Sequence, residues 1–186
     1  MKRWWGNSKA RGGGFTIVEL LIVVTVIGIL SLIIVVSYGA VVNNAHDSSV
    51  KDNMVKLSDQ VKLLALDTNS IPSGGATDVP TGNSTLFPDI DFEAQQDSYD
   101  DSVSNLYYCA GQIGGVLQFA IVAQSRSGAP FTYMSEGGFN GSPTVDLGAT
   151  TGTAVCEAAG FTPPFTWSYG YNPSASPAWF DWATKP

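Results

Sequence analysis

Charge is absent from one long stretch of this chain and frequent just beyond it. Residues 20–45 are 26 positions without an Asp, Glu, Lys or Arg, more than the roughly 20 that cross a bilayer as a helix. From residue 15 to residue 42 the one charged side chain is Glu19. The run is rich in Val and Ile, which in water favour strands, yet a lone strand in lipid leaves its backbone hydrogen bonds unmade. A membrane-spanning helix is therefore the reading. After it, Val50, Met54, Leu57, Val61 and Leu64 recur at steps of four and three, with Lys51, Asp52, Lys56, Asp59 and Lys62 on the other faces. That spacing continues the helix as an amphipathic one. No proline intervenes before Pro72, so one helix is expected over residues 15–66, about 78 Å long at 1.5 Å per residue. Gly28 and Gly39 are its softest points. Asp67, Thr68, Asn69 and Ser70, followed by Ile71 and Pro72, end it, because the residue before a proline is pushed out of the helical region.

Past the helix the periodicity shortens. Residues 69–104 read as a loop with at most a short helix, carrying Pro80, Pro88 and a series of acids. Residues 106–110 form a short apolar strand and residues 116–124 a stronger one. Ser125, Arg126, Ser127 and Gly128 then turn the chain into a strand over 131–134, which completes a hairpin. Phe165, Trp167, Tyr169 and Tyr171 alternate with small polar residues, which is strand periodicity with one aromatic face. Between residues 137 and 164, Gly, Thr, Ser, Ala and Pro predominate, and loop is expected. The elements add up to an α+β fold, a long N-terminal α-helix with a transmembrane half and an amphipathic half, the latter packed on a small antiparallel β-sheet. The segments are a leader over 1–14, a span over 15–45, the amphipathic half over 46–68 and a globular domain over 69–186.

Composition narrows the function. The chain has 186 residues, 44% hydrophobic and 13% charged, with a formal charge of −7. Such a balance excludes intrinsic disorder. The acidity argues against direct nucleic-acid binding, which draws on Lys and Arg to neutralise phosphates. One His and two Cys leave little for a transition-metal site or a Cys–His nucleophile pair, and no Ser-His-Asp, paired-carboxylate or phosphate-loop arrangement is anchored by spacing. No enzymatic activity is expected. Lys2, Arg3, Lys9 and Arg11 precede the span without an acid, which places the leader in the cytoplasm and the remainder outside. Cys109 and Cys156 then lie where they can oxidise, two buried thiols being the alternative. A bond between them would close a long loop and stabilise the fold by about 4 kcal/mol on chain-entropy grounds.

The junction of leader and span reads Gly12-Gly13-Gly14-Phe15-Thr16-Ile17-Val18-Glu19-Leu20. A secretory signal carries its cleavage site after the apolar core, whereas here the small residues come before it. Cutting between Gly14 and Phe15 would remove the charged leader, keep the apolar helix and create an α-amino group one turn from Glu19. This stretch resembles the type IV prepilin signature, shared by type IV pilins and the pseudopilins of type II secretion. The resemblance implies the type IV pilin fold, cleavage after Gly14 by a prepilin peptidase, N-methylation of Phe15 and a role for Glu19 in subunit assembly. It further implies a membrane-anchored precursor that an assembly platform polymerises with identical or homologous pilin subunits into an extracellular pilus. Adhesion, surface motility or DNA uptake would belong to that filament. A pseudopilin or minor pilin of a type II secretion or competence system is the alternative. The family often carries a proline where this chain has Val35-Val36-Ser37-Tyr38. Glu19 needs a partner or a neutral form, because a carboxylate in hydrocarbon costs a few kcal/mol or more, and the new terminus of Phe15 on a neighbour would supply a partner. Loss of the four leader cations takes the formal charge from −7 to −7 − 4 = −11.

The remaining candidates are weaker. Asp89, Asp91, Glu93, Asp97, Asp100 and Asp101 offer hard oxygens to Ca²⁺, but not at EF-hand spacing, and a solvated acidic loop is the preferred reading. No cofactor is expected, with calcium as a minor option. His46 reads as a helix-surface residue. Asn83-Ser84-Thr85 and Asn140-Gly141-Ser142 match the glycosylation pattern without further support. Phe165 to Tyr171 read as core. Trp179, Phe180 and Trp182 are open between core, an adhesive surface and a subunit contact.

Overall fold

The structure, a computed structural model, describes residues 14–73, 90, 92–141, 147–148 and 151–184. The chain divides into two compact units, Met1–Val41 and Val42–Pro186, and helix α1, Ile17–Thr68, begins in the first and ends in the second. Within the first unit its apolar side chains are exposed, from Ile17 through Leu30 to Val35. The helix is long and apolar enough to cross a membrane. Thr25 donates its hydroxyl to the carbonyls of Leu21 and Ile22, at 3.0 and 2.8 Å, and Ser31 to that of Ile27 at 2.8 Å. Both polar side chains are thus satisfied inside the helix, as lipid requires.

The second unit is built on a five-stranded antiparallel sheet in the order β4-β3-β2-β1-β5. The strands are β1 Asn105–Ile113, β2 Val116–Gln124, β3 Pro130–Met134, β4 Gly138–Phe139 and β5 Thr162–Tyr171. The expected stripe on α1 does the packing, for Val50, Met54, Leu57 and Val61 are fully buried and Leu64 packs beside them. They meet Leu106, Tyr108 and Ala110 of β1 and Phe119, Ile121 and Ala123 of β2. The intervening residues Tyr107, Cys109, Ala120 and Val122 point to the opposite face, into a second core with Val155, Phe161 and Trp167. With both faces covered, β1 and β2 read as continuous apolar runs with no polar alternation. Lys51 and Lys62 lie 4.5 and 5.4 Å from the ring centroids of Phe131 and Tyr133, alternate residues of β3, and clasp the helix to the sheet by cation–π contacts.

The expected hairpin over 116–134 is present as β2 and β3. A second hairpin precedes it: Ile113 pairs with Val116 across Gly114 and Gly115, whose φ values of 61° and 84° suit a two-residue type I′ turn. The helix end lies two residues beyond expectation. Asn69 adopts φ 51° and Ser70 N–H bonds to Ala65 O at 3.2 Å, the geometry of a Schellman cap. Over the described part of 69–104 the one helical turn is Gln96–Ser98.

Residues 137–164 depart from the expected loop. They contain β4, a second helix α2 at Gly152–Ala158 and the start of β5. Thr151 caps α2 by accepting from Ala154 N–H at 3.4 Å, and the Cys109–Cys156 disulfide ties α2 to β1. β5 tolerates prolines because it is an edge strand whose register shifts there. Gly111 pairs with Phe165 and Gln112 with Thr162, so Pro163 and Pro164 stand in the irregularity where no ladder bond is required.

Of the C-terminal aromatics, Trp182 belongs to the core, and Trp179 and Phe180 pack half-buried against it. Trp182 is among the fully buried residues of the helix-side cluster. Trp179 lies 5.4 Å from Tyr99 and 4.9 Å from Tyr171, and Phe180 lies 5.3 Å from Tyr169, measured between ring centroids. Phe180 N–H bonds to Gly170 O at 2.9 Å, so the tail also covers one end of the β5 edge.

Candidate functional site at the N-terminal junction

Helix α1 starts at Ile17, which leaves Gly14, Phe15 and Thr16 outside it. The start is set by a reciprocal cap. Thr16 N–H and Thr16 Oγ1 both donate to Glu19 Oε2, at 2.9 and 2.8 Å, and Glu19 N–H donates to Thr16 Oγ1 at 3.2 Å. This is a capping box, in which a Thr and the Glu three residues on satisfy two of the helix's orphan N–H groups. A carboxylate here also faces the positive end of the helix dipole. The Thr-x-x-Glu spacing is legible in the sequence, and Thr16 is the member that motif reading passes over.

The box explains how Glu19 survives in an apolar segment, since its charge is met by two donors of its own chain. Both donors belong to Thr16, so cleavage between Gly14 and Phe15 leaves the box intact. Phe15 is 82% exposed. A Cβ on Gly14 would meet no atom within 4 Å, so the fold of this chain asks for no glycine there. Residues 1–13, with the four leader cations, lie outside the described residues.

Among known families, residues 9–35 match the prokaryotic N-terminal methylation motif. Such a motif at the N-terminus supports a type IV pilin-like prepilin. The match covers the junction of leader and span and most of the apolar run, and the α+β arrangement beyond it is consistent with the pilin fold. Comparison with curated proteins and with solved structures gives no match.

The other candidates fall elsewhere in this prepilin-like chain. Cys109 and Cys156 are bonded and fully buried. Two of the acids are engaged by the protein's own donors: Asp100 accepts from Ser102 N–H and Oγ at 2.9 and 2.6 Å and from Gln124 Nε2 at 3.0 Å, while Asp101 pairs with Arg126 at 3.1 Å. Asp89 and Asp91 lie outside the described residues, as do Asn83, Ser84, Thr85 and Ser142. Among the described residues, no group of three or more His, Cys, Asp or Glu side chains is placed to hold a metal ion. His46 is half-buried on α1. Its neighbour Asp47 has a role that no local pattern announces, accepting from the hydroxyls of Ser125 and Ser127 in the turn between β2 and β3.

Proposed function

We propose that this chain is a pilin, the structural subunit of a type IV pilus or of a closely related filament. The observation that carries the reading is the methylation motif set on an exposed apolar helix whose charged residue is already capped. A prepilin peptidase cuts after Gly14 and methylates the amine of Phe15, which stays positively charged. In the membrane, lipid covers the span. On extraction by an assembly platform, the same surface is covered by the helices of other subunits, and repetition of such a heterologous contact with a screw operation gives an open filament. The Phe15 amine of an incoming subunit pairs with Glu19 of another, and so favours one axial register. Adhesion, surface motility or DNA uptake are then properties of the extracellular filament, and the subunit itself needs no catalytic site.

The test is the intact mass and N-terminal sequence of the protein in material sheared from the cell surface. A chain beginning at N-methyl-Phe15 and abundant there supports the pilus subunit. The same processed chain confined to the envelope supports a pseudopilin or minor pilin. A chain retaining Met1 overturns the proposal.

A further inference from the structure

We draw no further inference here: the strongest candidate, the apolar groove of about 440 Å³ lined by Lys62, Leu66, Ile71, Leu117, Phe119 and Glu136 between the end of α1 and β2, carries none, because nothing in the structure shows what covers it.

Discussion

Thr16 and Glu19 cap the start of α1, and the proposed assembly role falls on the same Glu19. Loss of either partner of a helix N-cap costs about 0.5–2 kcal/mol of local stability, which frays the first turn but leaves the distant sheet domain folded. Glu19→Ala is therefore expected to give a folded, membrane-inserted subunit that is missing from the sheared surface fraction. Wild-type amounts of filament would remove the assembly role. Glycines divide by the same residue-level argument. Gly14 meets nothing, so Gly14→Ala should leave the melting temperature unchanged while the unprocessed precursor accumulates on a mass spectrum. Gly152 is the opposite case, because an ideal Cβ there overlaps the buried Trp167 indole. Forcing a methyl into a packed core costs about 1–3 kcal/mol, and Gly152→Ala should lower the denaturation midpoint accordingly. The difference in packing is not visible in the sequence, where both positions are simply glycine.

At the scale of elements, α1 shows how far periodicity reaches. The steps of four and three name Val50, Met54, Leu57 and Val61 as the packed face, and these are the fully buried ones. Leu57→Ala should cost about 2–5 kcal/mol by cavity formation. Leu63, on the same helix but 61% exposed, is expected to cost far less when replaced, and denaturant titration of the two variants compares them directly. Helix α2 and the first residues of β5 were not legible. The α2 segment is too short to show a helical period, and a Pro-Pro pair argues against a strand unless that strand is an edge with a register shift. What holds α2 in place is long-range: the indole of Trp167 over Gly152, and a disulfide spanning 47 residues. Replacing Cys109 and Cys156 together by Ala should remove about 4 kcal/mol, the loop-closure entropy of a loop of that size.

The whole domain is acidic and rich in buried tyrosine, which sets its response to pH. Burial pushes the hydroxyls of Tyr99 and Tyr108 well above the usual tyrosine range, with Asn53 opposing the shift at Tyr99. Tyr107 is raised by burial, less a hydrogen bond to Ser104. Tyr108 also donates to Pro72 O at 2.7 Å, tying the chain just after α1 to the sheet. Raised values mean that the folded state keeps protons which the unfolded chain releases above its ordinary value of 10.0. This contribution to stability is complete below pH 10 and declines as pH rises beyond it. Tyrosinate absorbance is expected to appear together with the loss of near-ultraviolet circular dichroism; titration of these three tyrosines in a folded domain would contradict their burial.

The sequence by itself determined the parts of this protein that depend on near neighbours along the chain. The charge-free run, the stripe on α1, the polar stretch that ends this helix before Pro72 and the strong strands at 116–124 and 131–134 all rest on interactions within a few residues or on simple periodicity. The tertiary structure alone decided strand order, the two-sided burial of β1, the fold of residues 137–164 and the inward packing of Trp179, Phe180 and Trp182. Trp182 illustrates the reason. It lies beyond a turn rich in proline and serine, where local pattern cannot separate an exposed aromatic from a core one, and it is buried because α1 and the sheet leave a space that a large ring fills. Asp47 illustrates it again, since its partners Ser125 and Ser127 are close only once the hairpin has folded onto the helix.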